Sequence, residues 1–257
     1  MKNKNRWINT FFIVLLLAVI ILYNKNNIEN MLISIKYSFN RTVIEEQRYL
    51  LILKGLKSTL IISCLSIIIG TLLGFILFLL QRLKIKLLNI VAYLMVRFLQ
   101  GVPITVLLLT FYFGIFGSIS IDPIIVAIIA FSIYFSAYVS EIIKGAFISI
   151  NKTQIDSAYA LGFTKIQTLK YIILPQVLSY VIPVYKNESV LLIKSTSIAG
   201  YISIIELTKA SDIIRNRTYE AFFPLIFIAI IYFVICYIFC KLLDFIYKKF
   251  SPRMVKK

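Results

Sequence analysis

The stretch TQIDSAYALGFTKIQTLKYIILPQ, Thr153–Gln176, is a polar and punctuated segment of a chain that is otherwise mostly apolar. Asp156 follows Thr153 at the spacing of a capping box, in which two side chains satisfy backbone N–H groups at the start of a helix. That helix is expected to end at Gly162, because glycine adopts the left-handed conformation of helix ends at little cost. The first half of the stretch therefore predicts one short helix.

A second helix is predicted directly after this glycine. Thr164 and Gln167 repeat the capping pattern. Pro175 is expected to interrupt the helix after Leu174, because proline has no backbone N–H to donate. Each helix has one apolar face, formed by Ile155, Ala158 and Tyr159 in the first helix and by Ile166, Leu169 and Ile173 in the second. Two such helices either lie on a lipid surface or dock a partner protein.

The composition of the chain is that of an integral membrane protein. Its 257 residues are 60% hydrophobic and only 15% charged, and its mean hydropathy of +0.90 lies outside the range of soluble domains. Several apolar runs are long enough to cross a hydrocarbon core about 30 Å thick; they are Trp7–Tyr23, Thr59–Leu80, Leu88–Phe116, Pro123–Ser140, Leu178–Ile193 and Phe222–Leu243. The sequence predicts an all-α membrane protein with about six transmembrane helices. The fifth run contains Pro183 and several polar residues, so that span is expected to be short and interrupted.

The short loops predict the orientation of these spans. The hairpin Gln81–Leu87 contains three basic residues and no acid, and Lys and Arg near span ends stay in the cytoplasm. The hairpin Gly117–Asp122 has no Lys or Arg and is expected outside. Counting from these hairpins places both termini and Glu141–Gln176 in the cytoplasm and residues 24–54 outside. Because the basic residues of this chain of net charge +17 lie at span ends, they favour anchoring to anionic lipid over nucleic-acid binding.

Two further features concern the N-terminus and the cysteines. The segment NKNNIEN follows the first span without a small-residue cleavage pattern, so residues 1–23 are predicted to be a retained anchor. Cys64, Cys236 and Cys240 lie within spans, and the chain has no histidine. Neither a metal site nor a catalytic site is expected from these residues.

The opening stretch resembles the cytoplasmic EAA loop of permease subunits in bacterial ABC importers. The residues that carry the resemblance are Asp156, Ser157, Ala158, Gly162, Ile172, Leu174 and Pro175. Aspartate stands where the family usually has glutamate, and serine stands for the first alanine. These changes conserve charge or size, so docking of the loop is expected to survive.

Other segments resemble the polar amino acid permease branch of the same family, so that the resemblance covers Lys54 to Arg253. They are STLIISCLSIIIGTLLGFILFLL, VRFLQGVPITVLLLTFYFG, AYVSEIIKGAFISI and NESVLLIKSTSIAG. The chain departs from that branch at RFLQGVP, where Arg97 and Gln100 stand in place of an acid and an arginine. This departure leaves the choice of substrate open.

The resemblance implies a type I ABC importer permease in a bacterial cell membrane. It implies a five-helix core within residues 55–250, an extracytoplasmic loop at 24–54 before it, a coupling loop at 151–175 and a cytoplasmic tail at 251–257. In that family two ATP-binding subunits dock on the coupling loops, a second permease of the same or another kind completes the pair, and an external solute-binding protein delivers the solute. The residues implied in ATPase coupling are Asp156, Ser157, Ala158, Gly162 and Pro175.

ATP is expected to act on the partner ATPase and not on this chain. The sequence contains no GxxxxGK[ST] phosphate-binding loop, so the permease is expected to bind no cofactor of its own. ATP hydrolysis then belongs to a separate subunit.

The polar residues of the fifth run are candidates for the solute path, because polar groups inside membranes are costly and usually functional. Asn187, Glu188, Lys194 and Ser195 provide both charges and hydrogen-bonding groups, which suits the ammonium and carboxylate of an amino acid. The alternative is that Glu188 and Lys194 anchor the two ends of the helix at the membrane interfaces.

The predicted function is that of a transport subunit for a polar amino acid. A permease for another small solute is the alternative within transport. An enzyme would need a nucleophile with a base or a set of metal ligands, and no such set is evident. A membrane scaffold would leave the two capped helices without a role.

Overall fold

The computed structural model describes residues 25–250 of the chain, with side chains from 32 to 248. The helices in this part are α1 (Lys25–Phe39), α2 (Arg48–Leu80), α3 (Lys86–Gly101), α4 (Ile104–Leu109), α5 (Pro123–Ile148), α6 (Lys152–Ala160), α7 (Lys165–Thr168), α8 (Leu174–Ser195), α9 (Leu207–Thr218) and α10 (Phe223–Phe250). Short π- and 3-10 helical segments connect several of them, and no β-strand occurs between residues 25 and 250. The all-α prediction is confirmed for this part. The predicted anchor at 1–23 and the tail at 251–257 lie outside the described residues.

Three of the described segments are long and apolar enough to cross a membrane. They are Leu32–Leu80, Pro123–Ile148 and Phe223–Lys248. Two bent pairs pass the same test together, Lys86–Gly101 with Ile104–Ile115 and Lys165–Ile202 with Leu207–Thr218. The described part therefore has three such helices, or up to five if each bent pair is one span.

The core of the bundle is formed by close packing of α2 against α5. Ser66 Oγ donates a hydrogen bond to the carbonyl oxygen of Ile128, and Gly70 and Gly74 follow on the same face of α2. A Cβ added at Gly74 would lie 2.6 Å from the Cβ of Val139, so the two backbones approach too closely for a side chain. The large side chains buried around this contact include Ile62, Leu108, Phe131, Phe135 and Ile193.

Replacing Gly74 by alanine is expected to destabilise the protein by about 1–3 kcal/mol, the usual cost of adding a group to a filled interface. The matched control is Gly101→Ala, because a Cβ at Gly101 meets nothing within 4 Å. Thermal unfolding of the two variants in detergent would show a lower midpoint for Gly74→Ala alone. Equal midpoints would mean that α2 and α5 are not in this contact.

The span predicted as one run, Leu88–Phe116, is broken in the structure. α3 ends at Gly101, and the chain turns by 107° before the helical segment Ile104–Ile115. Pro103 causes the break, because a residue before proline is disfavoured in the helical region. Val102 accordingly adopts an extended conformation, with φ −97° and ψ 129°.

The segment predicted as an external loop with room for a short surface helix is largely helical from Lys25 to Lys54. It contains α1 and the start of α2, separated by a turn in which Glu46 and Gln47 have positive φ. Arg48, which is buried, holds this turn by donating to the carbonyl oxygen of Arg41 and by pairing with Glu46 at 3.0 Å. Four charged residues lie in or beside this turn, namely Arg41, Glu45, Glu46 and Arg48. The extracytoplasmic location of the segment stays a prediction.

The break predicted at Pro175 is also wrong, because the chain stays helical from Lys165 to Ser195. The π-helical turn Leu169–Ile173 leads directly into α8, and its wider winding accommodates the proline without a break. Pro175 lies in the first turn of α8, and Pro183 lies inside the same helix. Residues 178–193, which the sequence predicts as an interrupted fifth span, therefore lie in one unbroken helix, and the bend of 54° comes after them, between Ile202 and Leu207.

Candidate functional site

The first helix of the coupling loop, α6, is capped by a different residue from the one predicted. Asn151 Oδ1 accepts a hydrogen bond from the backbone N–H of Thr153 at 2.9 Å, so the capping box of Thr153 and Asp156 is wrong. Asparagine ranks among the strongest N-cap residues and starts the helix two residues earlier. The carboxylate of Asp156 is exposed, and it makes no hydrogen bond or ion pair with the described residues.

The turn after α6 has the geometry that the sequence predicts. Gly162 has a φ of +83°. Its N–H donates to the carbonyl oxygen of Tyr159 at 3.0 Å, and the N–H of Phe163 donates to that of Ala158 at 3.0 Å. These two bonds form a Schellman motif, which requires the left-handed residue at Gly162.

The capping box predicted at the start of the second helix, α7, is confirmed. The N–H of Gln167 donates to Thr164 Oγ1 at 3.3 Å, and the N–H of Thr164 donates to Gln167 Oε1 at 2.8 Å. Across the loop, Gln176 Nε2 donates to Gln154 Oε1 at 2.8 Å. This bond joins α6 to the first turn of α8.

The two faces of this hairpin differ in exposure. Ala158 is buried, and Ile155 and Ile173 pack against the buried residues Ile150 and Val177. The outward side carries Ser157 beside Asp156 and a set of exposed apolar side chains, namely Tyr159, Leu161, Ile166, Leu169 and Tyr171. Among the residues of the two predicted apolar faces, Tyr159, Ile166 and Leu169 are thus exposed. The hairpin buries one face against its own helices and leaves an apolar surface open.

A second candidate site is a small cavity between α5 and α8 that contains several polar side chains. Its volume is about 210 Å³, and it is lined by Tyr134, Phe135, Tyr138, Glu188, Leu191, Leu192 and Ser195. The hydroxyl groups of Tyr134 and Tyr138 share a hydrogen bond of 2.9 Å. Glu188 is half-buried, and its carboxylate has no hydrogen bond or ion pair among the residues from 32 to 248. The cavity thus presents an unpaired carboxylate beside hydroxyl groups.

The four predicted pathway residues do not all meet in this cavity. Glu188 and Ser195 are seven residues apart, or about two helical turns, so they lie on one face of α8. Lys194 instead lines a cavity of about 480 Å³ with Ser197, Thr208 and Tyr232. Asn187 is exposed and lines neither cavity.

Glu206 is a buried polar residue that the sequence did not reveal. Its side chain is fully buried and caps α9, accepting from the N–H groups of Thr208 at 2.7 Å and Lys209 at 2.6 Å. The hydroxyl of Tyr232 donates to the same carboxylate at 3.1 Å. The carboxylate therefore joins the bend before α9 to α10. Glutamate is not among the usual N-cap residues, so the sequence carries no clear signal for this role.

Comparison with known proteins places this architecture in one family. A family model described as a binding-protein-dependent transport system inner membrane component matches residues 66–256. The chain is 35% identical to YckA of Bacillus subtilis, a probable amino-acid ABC transporter permease, over 84% of this chain and 96% of that protein. It is 30% identical to GlnP of Escherichia coli, a glutamine transport system permease, over 79% of this chain and 93% of that protein.

A solved structure agrees with these relatives. The crystal structure of an amino acid ABC transporter with histidines superposes with a TM-score of 0.69, at 34% identity, over 79% of this chain and 94% of that chain. Proteins with these names are permease subunits, and ATP is hydrolysed by a separate subunit. The chain therefore belongs to the family of binding-protein-dependent transport system inner membrane components, among the amino acid ABC transporter permeases.

Proposed function

We propose that this permease imports a polar amino acid with energy from ATP, after an external binding protein delivers the solute. The observation that carries the proposal is the cavity of Glu188, Ser195, Tyr134 and Tyr138. An unpaired carboxylate suits an ammonium group, and hydroxyl donors suit a carboxylate. The cavity is smaller than the roughly 300–1,000 Å³ of drug-sized sites, so it suits a small solute.

The exposed side of the coupling loop is the surface proposed to dock the ATPase. Asp156 and Ser157 are exposed on α6, and Ala158 beside them is buried. Gly162 forms the turn after α6, and Pro175 lies in the first turn of α8. The exposed apolar side chains of the hairpin suit a groove in a partner protein. Two ATPase copies and a second permease, identical or related, would complete the transporter.

The substrate class can be tested on the assembled transporter. The complex with its ATPase and binding protein would be reconstituted in liposomes, and solute-stimulated ATP hydrolysis would be measured for single amino acids and for sugars and peptides. Stimulation by one or a few polar amino acids is expected. Stimulation only by another class of solute would refute amino acid transport while leaving the ATP-driven permease in place.

The proposed topology predicts the accessibility of Lys152, at the start of α6. A Lys152→Cys variant in a background without Cys64, Cys236 and Cys240 should react with a membrane-impermeant thiol reagent only after the cells are permeabilised. A cysteine at Ser118, in the loop predicted outside, serves as the control and should react in intact cells. Labelling of position 152 in intact cells would reverse the proposed orientation.

A further inference from the structure

A basic pocket of about 230 Å³ lies where α2 and α5 end, next to the hairpin Gln81–Leu87. It is distinct from the cavity of Glu188 and shares no residue with it. Its lining residues are Phe78, Gln81, Arg82, Lys144, Phe147 and Ile148.

Arg82 is held in this pocket by aromatic stacking. Its guanidinium carbon lies 5.5 Å from the ring centre of Phe78 and 5.3 Å from that of Phe147, and the two rings stack on each other at 5.3 Å. Among the residues from 32 to 248, no carboxylate pairs with Arg82 and no acceptor takes its side-chain N–H groups. A guanidinium that lies against two aromatic rings and has free donors is suited to bidentate binding of a phosphate.

Lys144 adds a second positive charge to the pocket. Its ammonium pairs with Glu141 at 3.1 Å and lies 5.6 Å from the ring centre of Tyr93. One carboxylate therefore balances two cations, Arg82 and Lys144. The pocket retains a net positive charge, and the Lys144 ammonium retains further donors.

The surface beside the pocket is apolar on the side of the helices. Phe75 is half-exposed one turn before Phe78, and their ring centres are 6.3 Å apart. A charged pocket at the end of an apolar helical surface matches a phospholipid, whose phosphate lies above its acyl chains. Free phosphate would make no use of the apolar part.

We propose that this pocket binds the headgroup of an anionic phospholipid. The phosphate lies between Arg82 and Lys144, and an acyl chain runs from there toward the membrane interior along Phe75. This inference is independent of the transported solute, because it uses none of the residues of the solute cavity. It also places a lipid next to the end of α5, directly before the coupling loop.

The test measures lipid binding to the complete transporter by native mass spectrometry, with phosphatidylglycerol and phosphatidylcholine of matched chains. Arg82→Gln is expected to weaken phosphatidylglycerol binding by roughly tenfold or more, because it removes charge-assisted hydrogen bonds to the phosphate and not only one surface charge. Phosphatidylcholine binding should not change. The matched control is Lys84→Gln, which removes the same charge from the same hairpin but outside the pocket lining.

Further variants separate the remaining explanations. Arg82→Lys keeps the charge and should retain part of the lipid affinity. Retained affinity would also show that the protein folds with a substitution at this position. Equal losses in Arg82→Gln and Lys84→Gln would overturn the site in favour of diffuse surface charge. Displacement of the lipid by a millimolar excess of inorganic phosphate would overturn it in favour of a phosphate site. Loss of the ATPase subunit from Arg82→Gln with unchanged lipid binding would overturn it in favour of a protein contact.

Discussion

Replacing Gly162 by valine is expected to reduce solute uptake by roughly tenfold or more while the protein still inserts into the membrane. Gly162 has a φ of +83°, and the left-handed region costs a residue with a Cβ about 1–2 kcal/mol, more if it is β-branched. A Cβ at this position meets nothing within 4 Å, so the cost arises in the backbone and not from a clash. The turn is expected to open, which tilts α6 away from the ATPase. About 1.4 kcal/mol of lost docking energy corresponds to a tenfold effect.

The measurement compares uptake and ATPase copurification for a series at this position. Gly162→Asn should be nearly normal, because asparagine tolerates the left-handed conformation, and Gly162→Ala should lie between asparagine and valine. Gly145→Val is the control outside the turn, since Gly145 lies in α5 with open space around it and no positive φ. Uptake at the parental rate in Gly162→Val, with the ATPase still bound, would mean that the hairpin lies on lipid and does not couple the subunits.

Replacing Glu188 by glutamine is expected to weaken solute-stimulated ATP hydrolysis and uptake by roughly 10- to 100-fold. A hydrogen bond to a charged group contributes about 1.5–3 kcal/mol, and each 1.4 kcal/mol is a factor of ten. Glutamine keeps the size of the side chain but removes the negative charge that faces Tyr134 across the cavity. Assembly with the ATPase should be unchanged, because the substitution is nearly isosteric.

Asp122→Asn is the matched control for this change. It also converts a carboxylate into an amide, and asparagine retains the capping of α5, where Asp122 Oδ1 accepts from the N–H of Ile124 at 2.8 Å. Asp122 does not line the cavity. Unchanged uptake in Glu188→Gln at normal expression would exclude the carboxylate as a solute contact. Equal defects in both variants would point to a general loss of negative charge.

The sequence by itself determined the class of protein and the local shape of the coupling loop. A hydrophobic fraction of 60% leaves no composition for a large soluble domain. Gly162 and the pair Thr164 and Gln167 act within a few residues, so their turn and cap could be predicted from neighbouring positions alone. The same local reasoning gave the wrong N-cap at Thr153, because Asn151 caps this helix instead.

Prolines showed the limit of local prediction in this chain. Pro103 breaks its helix whereas Pro175 and Pro183 do not, although each lacks the same N–H group. The outcome depends on the surroundings, since a π-helical turn absorbs Pro175 and an extended Val102 precedes Pro103. Sequence alone did not distinguish these cases.

Only the tertiary structure decided which polar side chains meet. The sequence alone groups Lys194 with Glu188. In the continuous helix α8 these two side chains lie about 120° apart around the helix axis, and Glu188 shares its face with Ser195 instead. Glu206 meets the hydroxyl of Tyr232 across 26 positions of the chain, and Arg82 meets Phe147 across 65. Such contacts depend on how the helices pack. Helix packing is determined by the shape of whole helix faces, as at the close approach of α2 and α5 around Gly74. The neighbours of a side chain in the sequence do not determine it.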